Sequence, residues 1–147
     1  MSDVMVKRKL ICTVGLPRSG KSTWARKQGH PIVNPDSVRL AMHGQRFQAL
    51  AEPFVWAVVH CMVKALFLAG HNVVILDATN TTKKRRDEWI SKGWDTVFLV
   101  VGTLAHECIR RAKAEGDEVI IPVIERMYES YEALEGSEQE TNGDKHR

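Results

Sequence analysis

Four short apolar runs recur along the chain, each separated from the next by room for at least one helix: Lys9–Val14 (KLICTV), Pro31–Val33, Asn72–Leu76 (NVVIL) and Thr96–Val101 (TVFLVV). Because these runs are continuously apolar rather than alternating, they predict strands buried on both faces of a parallel sheet. Helices are expected over about Lys21–Gln28, from Asn34-Pro35 onward, over Pro53–Ala69 up to the stop at Gly70, and over Lys83–Lys92, Leu104–Ala114 and Val119–Leu134. In the second of these, Asn34 reads as the N-cap and Pro35 as the first helical residue. His43–Ala51 has no clear period and is read as a loop or a short irregular helix. From Gly136 onward the chain is polar and poor in apolar residues, the composition of a disordered tail. The expectation is therefore an α/β domain over residues 1–134, with a four- or five-stranded parallel sheet carrying helices on both faces, and a disordered tail over 135–147. Ligands of such sheets bind beyond the carboxyl ends of the strands.

Composition narrows the class. A chain of 147 residues, 44% hydrophobic and 27% charged, has the makeup of one globular domain with a sufficient core. Its three cysteines, Cys12, Cys61 and Cys108, lie in apolar or helical stretches without metal-ligand spacing, which predicts a reducing, cytoplasmic setting. The longest uninterrupted apolar run, Phe54–Val59, is too short to cross a bilayer, and the basic N-terminus leads into a short strand rather than a secretory leader. The net charge of +3 is unevenly placed, since the acidic tail leaves a positive surplus on the rest. That surplus suits phosphate-bearing ligands.

The chemistry begins where the first strand ends. Gly15-Leu-Pro17-Arg18-Ser19-Gly20-Lys21-Ser22 fits G-x-x-x-x-G-K-[ST] and falls between a predicted strand and a predicted helix. Glycines allow backbone N–H groups to surround phosphate oxygens, Lys21 neutralises the β- and γ-phosphates, and Ser22, followed by Thr23, offers a hydroxyl to Mg²⁺. The expected core is therefore that of a P-loop NTPase of the kinase type, with three layers and a small helical lid, binding ATP and Mg²⁺. Asp36 and Arg39 follow the second strand at i, i+3, on one helix face. There a carboxylate can take the proton of an attacking hydroxyl, and an arginine can fork onto an acceptor phosphate. An acid in a first helical turn also simply complements the helix dipole.

At the end of the third strand, Asp77 is a candidate for Mg²⁺ or its water, and Thr79 and Asn80 are candidates for phosphate or lid contacts. Asp77 can equally fix the loop, and Asn80 or Thr81 can cap the next helix. Lys83–Arg86 opens a helix where positive charge opposes the dipole. Arg86 is thus a candidate acceptor contact, although a solvated face explains the run as well. Arg110 and Arg111 precede a short polar loop, where one of them can close over the transferring phosphoryl group. Glu52, Trp56, His60 and Lys64 form a mixed stripe at i+4, read as a half-exposed face rather than an acceptor groove. Trp24, Trp89 and Trp94 are read as packing.

In this order, GLPRSGKSTWAR, NPDSVR, ILDATN with KKRRDEW, and IPVIERMYESY resemble the kinase domain of bacteriophage-type polynucleotide 5′-hydroxyl kinases, within the small AAA-like P-loop kinases. The likeness runs from about Lys9 to Leu134. It implies Lys21 and Ser22 on phosphate and Mg²⁺, Asp36 as general base, Arg39 on the phosphate next to the acceptor hydroxyl, and Arg110 as a lid arginine. The family's corner acid falls opposite Ala78, with Asp77 one step earlier. The lid aligns with a gap, which leaves Arg110 and Arg111 unseparated. No D-x-D motif is present, so removal of 3′-phosphates is not expected. The resemblance implies transfer from ATP to the 5′-hydroxyl of DNA or RNA. Competing acceptors are a modified DNA base, a tRNA-linked group, a nucleoside, a sugar or a nucleotide-sugar. Two further alternatives are a non-catalytic NTP-binding module, disfavoured because binding alone needs no acceptor base, and an ATPase motor, disfavoured because the chain is short for extra subdomains.

Overall fold

The computed structural model describes residues 7–136, 138 and 140–142. β1 (Lys9–Val14), β2 (Ile32–Val33), β3 (Val73–Leu76), β4 (Asp95–Val100) and β5 (Glu140–Asn142) form one sheet in the order β2-β3-β1-β4-β5, with every pairing parallel. β1 lies at the centre, matched Lys9 to Val73 on one side and Lys9 to Asp95 on the other. Its carboxyl end, and with it the phosphate loop, therefore emerges between the ends of β3 and β4.

The helices are α1 (Lys21–Arg26), α2 (Pro35–His43), α3 (Glu52–Leu68), α4 (Lys83–Asp87), α5 (Ala105–Ala114) and α6 (Ile121–Ser130). Two apolar clusters hold the layers. The larger joins Leu10, Cys12, Val14, Val74 and Leu76 of the sheet to Val55, Val59, Val63 and Phe67 of α3, a one-sided stripe at helical spacing. The smaller gathers Leu16, Cys108, Ala112 and Ile124 under α5 and α6. Trp89 and Trp94 do pack: Trp89 is fully buried, its ring stacked on His60 at 4.0 Å, and Trp94 stacks on Phe67 at 5.4 Å.

Element by element, the apolar runs form strands with ends shifted by a residue or so. The α2 start is capped as its sequence requires: Asn34 Oδ1 accepts from Asp36 N at 2.8 Å, an arrangement that stabilises a helix by about 1 kcal/mol. Two helices are shorter than their periodicity predicts. α4 ends at Asp87, and α6 ends at Ser130, where the chain turns extended so that Glu132 N can donate to Thr81 O at 2.8 Å. Ala49–Leu68, a single 3-10 turn running into α3, is long and apolar enough to cross a membrane by length and composition, contrary to the run-length expectation. Here its Val55–Val59–Val63–Phe67 stripe is spent on the sheet.

The expected disorder of 135–147 needs the larger correction, as far as that stretch lies within the described residues. Glu138 folds back onto Arg86, and Glu140–Asn142 adds the fifth strand beside β4. Arg86 is 0% exposed and accordingly is no acceptor contact. Its Nε donates to Glu138 Oε2 at 2.8 Å, its Nη1 to Asn80 O at 3.0 Å and its Nη2 to Ala133 O at 3.3 Å. Burial works to raise the Glu138 carboxyl, but the Arg86 hydrogen bond, the backbone hydrogen bond from Glu135 and the charge of Arg86 together hold the group below its ordinary value. Removing one partner of a buried pair strands the other charge, so Glu138→Ala should cost about 3–5 kcal/mol of stability. Urea denaturation checks this; a loss below about 1 kcal/mol would mean that the C-terminal segment is not what satisfies Arg86.

Candidate active site

The phosphate loop is built tightly against its neighbours. A Cβ on Gly15 would come within 2.8 Å of both Ser19 Oγ and Val101 O, so no larger residue fits. Gly20 adopts φ 102°, in the left-handed region that favours glycine, and so turns the loop into α1. Gly15 N donates to Thr79 O at 2.9 Å, and Thr103 Oγ1 donates to Ser19 O at 2.7 Å. Thr13 Oγ1 donates to Ala78 O at 2.7 Å, and Asn80 Nδ2 donates to Thr13 O at 2.9 Å. Thr79 and Asn80 therefore serve the loop first. Thr79 does so through its carbonyl, while Asn80, buried and at φ 46°, does so through its amide and is removed from any acceptor. Pro17 is half-buried between these supports, and Thr23 faces solvent on α1.

Lys21 is buried and curls back over the loop, its Nζ donating to Leu16 O at 2.7 Å and lying 3.4 Å from Ser19 Oγ. Burial draws its ammonium down to about 8, and nearby Asp77 offsets this only in part. One turn further, Ser22 Oγ donates to Asp77 Oδ2 at 2.6 Å, and Asn34 Nδ2 donates to the same oxygen at 3.0 Å. Three elements thus meet at one carboxylate. A hydroxyl and a carboxylate oxygen beside a phosphate cradle are the hard donors that Mg²⁺ takes together with water and phosphate oxygens, so the residues present fit that ion. Asn34, legible in the sequence only as a cap, is part of this centre as well; its amide faces Asp77 while its carbonyl caps α2.

Beside the cradle, on α2, Arg39 is held from two directions. Its Nε and Nη2 donate to Glu52 at 2.9 and 2.8 Å, and its Nη1 donates to Asp36 Oδ1 at 2.7 Å. Burial disfavours the Arg39 charge, but the hydrogen bond and charge of Glu52, then Asp36, more than restore it. In return, the Arg39 hydrogen bond holds Glu52 below the ordinary carboxylate range. Asp36 is 80% exposed and accessible to a ligand. Trp56 lies beneath two guanidinium groups, Arg85 at 4.1 Å and Arg39 at 6.0 Å from the ring centroid. The stripe of Glu52, Trp56, His60 and Lys64 is half-exposed as expected, and its inner side forms a seam that fixes Arg39 and Trp89. Sequence reasoning missed Glu52 as the partner of Arg39; the signal was an acid in the first turn of the helix after the acceptor loop.

The lid separates the two arginines that the sequence could not. Arg111 Nη1 donates to Arg18 O at 3.2 Å, leaning over the phosphate loop. Arg110 pairs with Glu107 within its own helix and points into solvent. Arg18 turns its side chain away from the loop toward the lid acids Glu115 and Asp117, and Arg46 joins it on Asp117. Hydrogen bonds from Arg46 and Arg18 bring the Asp117 carboxyl down to about 2, so it stays ionised at any working pH.

A central parallel strand, a glycine-bounded phosphate loop, a serine–aspartate pair and an arginine lid define a P-loop kinase-type core. The chain belongs to an AAA domain family, which residues 10–134 match. Among solved structures, two of the Pnkp1/Rnl/Hen1 complex superpose well. In the one described as an RNA repair complex, TM-score 0.65 and 22% identity cover 92% of this chain and 52% of the other. In the second, TM-score 0.64 and 30% identity cover 76% of this chain and 42% of the other. The chain thus spans about half the length of these proteins. A gluconokinase from Sinorhizobium meliloti is similar in fold alone, with TM-score 0.59, 18% identity, and coverage of 93% of this chain and 81% of that one.

Two outcomes follow from this geometry. Triphosphate charge favours the protonated form of Lys21, so nucleotide binding at pH 8.5 should take up a proton, and affinity should fall as pH rises from about 8 toward 10. Calorimetry in buffers of differing ionisation heat reads the uptake; no uptake would mean that Lys21 does not meet the phosphates. Secondly, Glu52→Ala leaves half-buried Arg39 with Asp36 alone and should cost about 1–3 kcal/mol in urea unfolding.

Proposed function

We propose that this protein is a Mg²⁺-dependent kinase that transfers the γ-phosphoryl group of ATP to the 5′-hydroxyl of a polynucleotide. The observation that carries the reading is the preassembled Asp36–Arg39–Glu52 triad beside the Lys21–Ser22–Asp77 cradle. A protein that only binds and hydrolyses nucleotide needs no such acceptor arginine, aligned by a bidentate carboxylate. The likeness to proteins of an RNA repair complex supports a nucleic-acid acceptor.

In this reading the backbone N–H groups of Gly20, Lys21 and Ser22, with the Lys21 ammonium, hold the β- and γ-phosphates. Ser22 and Asp77 would hold Mg²⁺, which when bound neutralises charge on the β- and γ-oxygens. Asp36 accepts the proton of the 5′-hydroxyl as its oxygen bonds to the γ-phosphorus and the bond to the β,γ-bridging oxygen breaks, releasing ADP. Arg39, steered by Glu52, forks onto the phosphate that follows the acceptor nucleoside. Arg111 neutralises charge building on the transferring group, and the closed lid keeps water from replacing the hydroxyl.

The test is incubation with Mg²⁺-ATP and a 5′-hydroxyl single-stranded DNA or RNA oligonucleotide, with products weighed by mass spectrometry. One phosphate at the 5′ end is expected. Its rate should fall about 10²–10⁴-fold in Asp36→Asn, and comparably in Arg39→Ala. A phosphate on a base would move the acceptor, and no transfer to either polymer would overturn the polynucleotide reading.

A further inference from the structure

Arg18 is an outlier in two respects. It occupies the middle of the phosphate loop at φ 69°, a left-handed conformation that glycine adopts freely and arginine does not. A strained non-glycine residue at such a site points to a role for its side chain. That side chain nevertheless does not reach into the loop. Its Nη2 donates to Asp117 Oδ2 at 2.7 Å, and its Nη1 reaches Glu115.

A second arginine converges on the same carboxylate from a different element. Arg46, in the segment joining α2 to α3, donates from Nη1 to Asp117 Oδ1 at 2.8 Å and from Nη2 to Asp117 Oδ2 at 3.0 Å. Two guanidinium groups, one from the phosphate loop and one from the acceptor side, thus grip a single anionic group with three charge-assisted bonds. That arrangement is also how a phosphate is bound. Arg46 follows α2, the helix that carries Asp36 and Arg39, so the pair spans from the phosphate loop to the segment beside those two residues. Arg46 is more than half exposed and can be reached by a second anion from solvent, whereas the Asp117 carboxylate that it grips is only 13% exposed.

We propose that Arg18 and Arg46 form a phosphate-binding pair for the acceptor strand, which Asp117 of the lid occupies until a backbone phosphate displaces it. This deepens the kinase reading and rests on the acceptor being a polynucleotide. A phosphate away from the reacting hydroxyl would then be read by the lid loop. By vacating the site, Asp117 would couple acceptor arrival to lid movement, and acceptors without such a phosphate would leave the pair closed.

The experiment uses the full chain saturated with Mg²⁺ and a non-hydrolysable ATP analogue, titrated with a 5′-hydroxyl tetranucleotide and, separately, with inorganic phosphate. The isosteric Asp117→Asn variant should bind the tetranucleotide about tenfold more tightly. Arg46→Ala should weaken binding, and adding it to Asp117→Asn should erase the gain; Arg46 is exposed enough for that variant to fold. An unchanged or weaker affinity in Asp117→Asn, or a gain that survives Arg46→Ala, overturns the proposal. If Asp117→Asn instead tightens only the ATP analogue, the pair serves the donor, and the acceptor assignment is wrong. If inorganic phosphate shows the Arg46-dependent gain while the tetranucleotide binds no variant, the anion pair stands and the polynucleotide reading falls. Tetranucleotide binding and phosphorylation without any gain would instead sink the anion pair and leave the polynucleotide reading standing.

Discussion

One buried carboxylate organises the reactive end of this molecule. Asp77 stands at the tip of β3, and its Oδ2 receives the Ser22 hydroxyl from α1 and the Asn34 amide from the cap of α2. A buried anion is tolerable only when its lone pairs are met, so its partners cannot drift without leaving a charge unsatisfied. The start of α1 and the start of α2 are thereby tied to the same strand end. Since α1 carries the phosphate cradle and α2 carries Asp36 and Arg39, the cradle and that pair are referenced to a single oxygen atom.

Around that point the structure divides its polar contacts by task. Thr13, Thr79, Asn80 and Thr103 spend their hydrogen bonds on the backbone of the loop and its flanking strands, and so preform the cradle. Glu52 and Trp56 do the same for Arg39, fixing by charge and stacking a side chain that would otherwise sample many rotamers. In the proposed reaction, little reorganisation would remain on this side when an acceptor arrives. The lid is different: Glu115 and Asp117 hold Arg18 and Arg46 through guanidinium groups that are 30% and 57% exposed, so its contacts face solvent more than those of the cradle do.

Much of this architecture is legible in the sequence because its causes are local. Continuous apolar runs read as strands, Asn34-Pro35 as a helix start, and the glycine-lysine-serine spacing as a phosphate loop. What escapes has partners far along the chain. Arg86 sits in a run of four cations that composition assigns to solvent, yet its burial is decided by Glu138. Glu52 looks like a helix-dipole acid, and only the packing of α2 on α3 makes it the partner of Arg39. Arg110 and Arg111 are equivalent by spacing; the rotation of α5 sets one over the loop and the other in water. The α6 helix stops short of its apolar period because a backbone bond to Thr81 competes with the next helical turn.

The Arg86–Glu138 pair also bears on how the chain acquires its fold during synthesis. The two residues are separated by 52 positions, so Arg86, whose burial depends on that carboxylate, leaves the ribosome well before its counterion does. Until Glu138 and the β5 strand emerge, the corner beneath Asn80 holds an uncompensated cation and the outer edge of β4 remains unpaired. A nascent chain can therefore assemble the phosphate loop early, but it closes the sheet last. In that interval the exposed edge of β4 is where a translating chain is most open to chaperones or to mispairing with its neighbours.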